Sequence, residues 1–291
     1  MEIFIVILGI LVLLCIWIIL FDSTRFVKTS YKYSDKRIQR SCRAVLISDL
    51  HNKSYGRNNE SLLAAIREEK PDFILIAGDM ITANRRHKFG VAIRLLSELK
   101  KDFPIYYANG NHEQYICLPE KDYGDAGKEY KKLLDEAGVD RLINSHVELA
   151  EYGISIYGLE IDRDFYRRFT DVKMDDDYLK TILGKADETK YNILLAHNPD
   201  HFEKYAEWGA DLTLAGHIHG GIVRVPFTGK GVISPKFTLF PKYDGGEFAA
   251  GKAIMIVSRG LGTHTIPLRM FNPAELITID FEGKTDGSDS C

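Results

Sequence analysis

The chain has 291 residues, of which 45% are hydrophobic and 27% charged, and its formal net charge is −3. This length and balance suit one large α/β domain, and no internal repeat or low-complexity stretch divides it. The slightly acidic average argues against a nucleic-acid-binding protein. Of the four cysteines, Cys15 lies in the apolar N-terminal stretch and Cys291 is the last residue, so only Cys42 and Cys117 could pair internally, which is not a disulfide framework. None of the four has metal-ligand spacing.

The first 21 residues predict a transmembrane anchor. Ile3 to Phe21 is uncharged and almost wholly aliphatic, and as a helix it would extend roughly 28 Å, close to the thickness of a hydrocarbon core. A cleaved signal peptide needs a basic start and small residues at its end. This segment instead starts with Glu2 and ends in Leu20-Phe21-Asp22. A buried core helix fits less well, because no face is polar.

Residues 22–43 predict a basic juxtamembrane tether. Against Asp22 and Asp35 they hold seven basic residues, namely Arg25, Lys28, Lys32, Lys36, Arg37, Arg40 and Arg43. By the positive-inside rule, we expect a single-pass protein of the cell membrane whose following domain is cytoplasmic. The same residues could bind anionic lipid head groups; an ordinary solvated linker is the alternative.

Residues 44–281 predict one domain in which strands and helices alternate. Short apolar runs indicate buried strands, and apolar residues at helical spacing indicate helices. The predicted helices are 58–70, 91–99 and 125–137. The predicted strands are 44–48, 72–77, 105–108, 147–149, 154–157, 192–196, 212–215, 222–225, 253–257 and 276–281. We expect the polar tail 282–291 to be disordered.

Five polar motifs follow apolar runs in this domain and together predict a metal site. In chain order they are Asp49-Leu50-His51, Gly78-Asp79, Gly110-Asn111-His112-Glu113, His197 and Gly216-His217-Ile218-His219. The carboxyl ends of strands in an open α/β sheet meet at one edge, and these O and N donors suit borderline divalent cations. Each motif alone could be a turn or a helix cap, but independent turns would rarely produce this order.

Elementary geometry assigns roles to some of these residues. Asp49 and His51 are two residues apart, so on an extended segment they would point the same way and could hold one ion. Asp79, at the neighbouring strand end, is placed to bridge to a second ion, and Gly78 would let the backbone approach closely. We expect Glu113 to orient a ligand histidine rather than to bind metal.

The motif order resembles that of the calcineurin-like metallophosphoesterase superfamily over residues 45–219. Further segments resemble a membrane-anchored bacterial branch related to UDP-2,3-diacylglucosamine hydrolases: Ala196-His197-Asn198-Pro199-Asp200, His219-Gly220-Gly221, Ser258-Arg259-Gly260-Leu261-Gly262, Pro267-Leu268-Arg269 and Asn272-Pro273-Ala274-Glu275. One position departs from that branch, because Ile222 stands where a glutamine usually follows His-Gly-Gly. That departure bears on the substrate rather than on metal binding.

The resemblance implies a four-layer α/β/β/α sandwich that holds two divalent ions, Mn²⁺, Fe²⁺ or Zn²⁺. Asp79 would bridge the ions, and His112 would lie near the leaving oxygen as a general acid or charge stabiliser. The implied ligands of the first ion are Asp49, His51 and His219, and those of the second are Asn111, His197 and His217.

These features predict a membrane-anchored dimetal phosphoesterase that hydrolyses a phosphodiester or pyrophosphate bond by in-line attack of a metal-bound hydroxide. A tether confines enzyme and lipid to one surface, which favours a lipid-linked substrate such as a UDP-diacylglucosamine-like glycolipid precursor. The alternatives are cell-wall polymers, soluble nucleotides, or a non-catalytic scaffold, although scaffolds typically lack ligands that are all present here. The domain sequence contains no evident basic groove that would indicate a nucleic-acid substrate. The sequence does not predict the oligomeric state.

Residues 158–178 form a candidate substrate lid. They carry Arg163, Arg167 and Arg168 among aromatic residues, and an arginine can hold a phosphate group through two hydrogen bonds. A solvated loop is the alternative interpretation. His264, in the glycine-rich stretch after Arg259, is a further candidate for substrate contact.

Overall fold

The computed structural model describes residues 1–84, 86, 88–118, 123–167, 172–234, 237–263 and 266–283. Its helices are α1 (Glu2–Thr24), α2 (Glu60–Glu69), α3 (Gly90–Lys100), α4 (Asn111–Tyr115), α5 (Ala126–Glu136), α6 (Tyr178–Leu183) and α7 (Phe202–Trp208). Its strands are β1 (Phe26–Asp35), β2 (Cys42–Ile47), β3 (Phe73–Ala77), β4 (Ile105–Ala108), β5 (Ser145–Leu149), β6 (Ile154–Leu159), β7 (Tyr191–Ala196), β8 (Leu212–Ala215), β9 (Gly246–Ala250), β10 (Ala253–Val257) and β11 (Ala274–Gly283).

The strands form two sheets. The first has the order β1-β11-β2-β3-β4, and the second has the order β5-β6-β7-β8-β10-β9. Strands β2, β3 and β4 are parallel to one another, as are β6, β7, β8 and β10 in the second sheet. Each sheet therefore gathers the carboxyl ends of several central strands at one edge, where α/β proteins place their sites.

Helices cover the outer faces of both sheets. Side chains of β2 alternate between two cores, as the period of a strand requires. Val45 and Ile47 pack with residues of α2, α3 and α5, whereas Ala44 and Leu46 pack against the second sheet. A further core joins the second sheet to α6 and α7. The layers therefore run helix, sheet, sheet, helix, which confirms the predicted α/β/β/α sandwich.

Helix α1 is long and apolar enough to cross a membrane. Most of its side chains are exposed, and Asp22 near its end is buried against the domain. No polar residue interrupts the stretch from Ile3 to Phe21, so nothing in it would oppose burial in hydrocarbon.

The segment predicted as a tether differs from that prediction, because most of it belongs to the first sheet. Strand β1 pairs in parallel with β11 from Phe26↔Ala274 to Asp35↔Gly283. Exposed and half-buried residues alternate along β1, so the lysines lie on its solvent face. Lys28 pairs with Glu68 and Glu69 at 2.5 and 2.8 Å. Lys32, Arg37, Arg40 and Arg43 also form ion pairs within the domain, so the segment is not a free linker.

Three smaller expectations also differ. Residues 222–225 make only isolated bridges to neighbouring segments instead of a strand. Strand β9 was not predicted, since its glycine and alanines are poor strand formers. Strand β11 continues to Gly283, two residues beyond the predicted end of the domain at 281; residues 284–291 lie outside the described residues. The strands predicted at 105–108, 212–215 and 253–257 have those bounds in the structure.

Candidate metal centre

The five motifs follow five strands, three from the first sheet and two from the second. Asp49 follows β2, Asp79 follows β3 and Asn111 follows β4. His197 follows β7, and His217 follows β8. Because the two sheets are stacked, both sets of motifs meet at one edge of the sandwich.

One group of potential ligands consists of Asp49, His51 and His219, whose ligand atoms all lie within 4.8 Å of one another. Asp49 Oδ1 lies 3.8 Å from His51 Nε2 and 3.3 Å from His219 Nε2. All three side chains are buried. This group matches the residues that the resemblance assigns to the first ion.

A second group consists of Asp79, His197 and His217, again within 4.8 Å. Asp79 Oδ2 lies 3.0 Å from His197 Nε2 and 3.7 Å from His51 Nε2, so Asp79 faces histidines of both groups. His112 Nε2 lies 4.0 Å from the same oxygen. Asp79 therefore occupies the shared position that a bridging carboxylate requires.

Asn111 supplies a separate test of whether a cation fits. Its Oδ1 is buried, and in the described part of the chain no group donates a hydrogen bond to it. A buried acceptor without a donor is costly, whereas a divalent cation would satisfy the carbonyl oxygen directly. The donor set of carboxylates, imidazoles and this amide oxygen therefore fits divalent metal ions.

Five of the seven predicted ligands have a left-handed backbone, which the sequence does not predict. Their φ values lie between 47° and 70°, and they are Asp49, His51, Asp79, His217 and His219. Such conformations are uncommon outside glycine, and strain of this kind concentrates at functional sites. The prediction of an extended segment at Asp49 and His51 was therefore wrong, although their side chains do converge.

Three ligand histidines have Nδ1 directed at a backbone carbonyl. A carbonyl only accepts hydrogen bonds, so Nδ1 must carry the proton, and Nε2 keeps its lone pair for a metal. The Nδ1-to-oxygen distances are 3.2 Å for His51 and Ile81, 2.6 Å for His197 and Ala77, and 3.1 Å for His219 and Gly262. The fold thus sets the ligand tautomer at three positions.

His112 has the opposite tautomer. The backbone N–H of Ala83 donates to His112 Nδ1 at 2.9 Å, so in the neutral ring the proton is on Nε2. That nitrogen faces the Asp79 carboxylate side of the cluster. His112 is therefore arranged to donate a proton or hydrogen bond at the site rather than to ligate a metal.

The two aspartates are buried close to histidines, and their electrostatics favour a cation. Burial raises the pKa of Asp79 to about 7 and also raises the pKa of Asp49. Burial lowers the pKa of His197, but Asp79 and Asp49 outweigh it and hold that pKa at about 10. Positive charge is thus strongly stabilised between these carboxylates, and a divalent ion would compete with protons for the same position.

Glu113 organises the backbone around Asp79, which corrects the expectation that it orients a histidine. The carboxylate is fully buried. It accepts hydrogen bonds from the backbone N–H groups of Asp79 (2.9 Å), Met80 (2.8 Å), Ile81 (3.3 Å) and Gly110 (2.9 Å), and from the Tyr107 hydroxyl (2.8 Å). One carboxylate therefore stabilises the turns after both β3 and β4.

Gly78 allows these turns to approach each other, as expected. Its φ is +87°, and an added Cβ would lie 2.5 Å from Gly110 Cα. No flexible side chain could yield there, because the contact is with backbone. The strand ends of β3 and β4 can therefore carry their ligands only with glycine at this position.

We expect Gly78→Ala to lower the free energy of unfolding by roughly 3 kcal/mol, since strain from positive φ and steric overlap add together. Gly251→Ala is the matched control, because Gly251 also has positive φ (+62°) but has no atom within 4 Å of an added Cβ. Thermal unfolding of the full-length chain in detergent would compare them. Equal losses for the two variants would contradict the proposed steric role.

The glycine-rich segment from Ser258 forms hydrogen bonds with the backbone beside the metal ligand Asp49. Gly262 N donates to Asp49 O at 2.6 Å, and Leu261 N donates to Ser48 O at 3.0 Å. The buried Arg269 guanidinium donates to the carbonyls of Gly260 and Gly262. This described part of the segment therefore positions ligands, whereas His264 lies outside the described residues.

The candidate lid reaches the metal centre through Tyr166 rather than through an arginine. The Tyr166 side chain is buried, and its ring centre lies 5.2 Å from that of His217. Arg163 and Arg167 are exposed, and Arg167 pairs with Asp164 at 3.1 Å; Arg168 lies outside the described residues. The aromatic and basic composition of residues 158–178 predicted a segment near the substrate, but the sequence did not indicate that Tyr166 would contact the metal centre.

A cluster of carboxylates and imidazoles at the meeting edge of two sheets forms a candidate site for divalent metal ions. The profile of the family called calcineurin-like phosphoesterase matches residues 42–221, a range that includes all five motifs. The chain therefore belongs to the calcineurin-like phosphoesterase family and is a metal-dependent phosphoesterase.

Similar proteins support this assignment. A protein of Aquifex aeolicus described as an uncharacterized metallophosphoesterase is 31% identical over 245 residues, which cover 81% of this chain and 84% of that protein. YkuE of Bacillus subtilis, also described as an uncharacterized metallophosphoesterase, is 29% identical, covering 80% and 76%. A zebrafish "transmembrane protein with metallophosphoesterase domain" is 28% identical; the match covers 81% of this chain and 52% of that protein.

Proposed function

We propose that this protein is a membrane-anchored dimetal phosphoesterase that cleaves a phosphodiester or pyrophosphate bond in a lipid-linked substrate. A UDP-diacylglucosamine-like glycolipid precursor is an example of the substrate class. The observation that carries the proposal is a short chain of hydrogen bonds from the end of α1 to the metal centre. Asp22 Oδ2 accepts from Asn272 N at 3.2 Å, and Asn272 Nδ2 donates to His219 O at 2.8 Å.

The end of the anchor also contacts the first motif. Lys53, two residues after His51, donates to Ser23 O at 3.0 Å. If α1 spans the bilayer, these contacts hold the metal centre near the membrane surface, where lipid substrates are concentrated. The name of the zebrafish relative agrees with an anchored arrangement. The basic residues after α1 favour a cytoplasmic site, by the positive-inside rule.

The residues divide the chemistry between them. When bound, two divalent ions would stabilise the attacking and leaving oxygens of an in-line displacement and generate the nucleophile. Asp49, His51 and His219 would hold one of them, and Asn111, His197 and His217 the other. Asp79 would contact both. His112, with its proton on Nε2, would donate to the leaving oxygen.

A substrate screen tests the proposal. It requires the full-length chain in detergent or nanodiscs, because truncation to Arg43 would remove β1 from the first sheet. With Mn²⁺, Fe²⁺ or Zn²⁺ supplied, we expect hydrolysis of lipid pyrophosphates or lipid diesters to exceed that of soluble nucleotides and wall polymers. The same preparation carrying Asp79→Asn controls for contaminating hydrolases. Preference for a soluble nucleotide would reject the lipid substrate but leave the phosphoesterase assignment intact.

His112→Gln should lower kcat by about 10²-fold when the leaving group is a poor one, since general acid catalysis typically contributes that much or more. Esters with an acidic leaving group, such as p-nitrophenol, need little proton donation, so their loss should be much smaller. The measurement is kcat for both ester types, with metal content determined alongside. A loss that does not depend on the leaving group would argue for a purely electrostatic role.

Arg163 and Arg167 remain proposed substrate contacts. Both are exposed on the segment that carries Tyr166 to the metal centre, so a phosphate group in solution can reach them. Unchanged kcat/KM after alanine replacement of both would remove them from the proposal.

A further inference from the structure

A second apolar feature lies beside the end of α1. We define the apolar surface as the exposed side chains Val225, Phe227, Phe237, Leu239, Phe240 and Phe271. Leu239 and Phe240 are 64% and 67% exposed, and Phe227 is fully exposed. Exposure of several large apolar side chains to water is unfavourable and marks an interaction site.

Three side chains of the apolar surface lie beside the anchor. A groove of about 570 Å³ is lined on one side by Trp17, Ile18 and Phe21 of the last turns of α1. On the other side it is lined by Val225, Phe227 and Phe271. Side chains at the level of the last turns of a membrane-spanning helix lie at the boundary between acyl chains and head groups.

The backbone holds these side chains outward at a cost. Phe227, Phe237, Phe240 and Phe271 all have positive φ, between 48° and 70°. Bulky residues rarely adopt this conformation, and it persists only where the surrounding structure imposes it. Around Phe227 and Phe240, backbone hydrogen bonds do so, from Val225 N to Lys230 O and from Phe240 N to Val232 O at 2.8 and 2.9 Å.

The charges around the apolar surface suit a lipid interface. Residues 222–243 contain four basic residues and no aspartate or glutamate. Within the described part, the Lys230 and Lys242 side chains are exposed, and Lys242 pairs with Glu203. Arg224 is buried and pairs with Asp244. Basic residues beside exposed aromatic side chains are the pattern of segments that lie in the interface of anionic membranes.

The start of segment 222–243 is hydrogen-bonded to the metal centre. Ile222 comes three residues after His219. Asn272 Nδ2 donates to the carbonyls of both His219 and Gly221. Arg224 Nη1 donates to Gly220 O at 3.0 Å. Hydrogen bonds from Asn272 and Arg224 therefore join the start of segment 222–243 to the turn that carries His219.

We propose that the apolar surface inserts into the membrane interface as a second contact beside α1, and that it orients the metal centre toward lipid substrate. This inference rests on the proposed membrane anchoring. The occupant is the bilayer itself, since part of the surface lines a groove with the spanning helix and the exposed Lys230 lies in the same segment.

The test places an environment-sensitive fluorophore at Leu239→Cys, which does not line the groove with α1. The full-length chain carries Cys117→Ser and Cys291→Ser and is reconstituted in nanodiscs of phosphatidylcholine and phosphatidylglycerol. We expect spin-labelled lipids to quench this probe several-fold more than the same probe at Ile143→Cys, another exposed apolar position. The background without an added cysteine measures residual labelling.

Equal quenching at the two positions would overturn the proposal. A probe shielded from aqueous iodide but not quenched by lipid would indicate a protein occupant, such as a second copy of the chain, and would also overturn it. Neither readout depends on turnover, so both remain informative if the proposed substrate is wrong.

A second measurement uses Phe227→Ser/Phe240→Ser. We expect kcat/KM to fall at least about tenfold for bilayer-embedded substrate. The free energy lost when one phenylalanine side chain no longer inserts into lipid exceeds the 1.4 kcal/mol that corresponds to a tenfold change. Hydrolysis of a soluble diester should be unchanged. Equal losses on both substrates would show that the loop acts only through the structure of the site, contrary to the proposal.

Discussion

Replacing Asp79 with asparagine is expected to lower kcat/KM by roughly 10³-fold or more at saturating metal. A single oxygen of Asp79 faces histidines of both ligand groups, at 3.0 Å from His197 and 3.7 Å from His51. Loss of the shared charge should weaken the clamp on the phosphate, which is worth several kcal/mol at about 1.4 kcal/mol per tenfold change in rate. The measurement is steady-state hydrolysis together with metal content by mass spectrometry.

The asparagine variant should remain folded, since the side chain keeps its shape and still accepts the hydrogen bond from His112 N. Asp102→Asn is a suitable control, because Asp102 is a surface carboxylate paired with Arg67. Asp79→Asn that retained near-normal kcat/KM with two bound ions per chain would contradict the bridging role.

Replacing Glu113 with glutamine is expected to lower the free energy of unfolding by at least about 3 kcal/mol. Hydrogen bonds to a buried charge are worth more than neutral ones, and this carboxylate accepts five. The amide nitrogen of glutamine would face backbone N–H donors, which cannot accept from it. The turns after β3 and β4 should loosen together, so metal affinity should fall although Glu113 is not a ligand.

Thermal unfolding of the full-length chain, with and without metal, measures this effect. Glu136→Gln provides the comparison, because Glu136 is exposed on α5 and surface substitutions usually change stability by about 0.5 kcal/mol or less. If Glu113→Gln and Glu136→Gln unfolded at the same temperature, the backbone role of Glu113 would be wrong.

The residues of the metal centre were predictable because each motif follows an apolar run, and parallel strands bring the ends of such runs together. The structure brings together Asp49, His51, His219, Asp79, His197 and His217 in the predicted groups. The conformation of the motifs was not predictable. Five ligands are left-handed, and a residue type such as aspartate or histidine does not indicate that conformation.

The basic segment after α1 shows a different limit. Its alternating pattern is compatible with a strand, but its charge favours a tether. The segment forms a strand because it pairs with β11, in a register that places Phe26 opposite Ala274, 248 residues later in the chain. Such long-range pairing depends on a partner that local sequence does not contain.

Local sequence thus determined what composition, periodicity and order reveal: the apolar helix α1, the alternation of strands and helices, and the metal-ligating residue types. Tertiary structure alone decided which proton each histidine carries, because the carbonyls near His51, His197 and His219 and the N–H near His112 come from other segments. It also placed Glu113 beneath two turns and the apolar surface beside α1. These features depend on contacts between distant segments, which exist only after the sheets have packed.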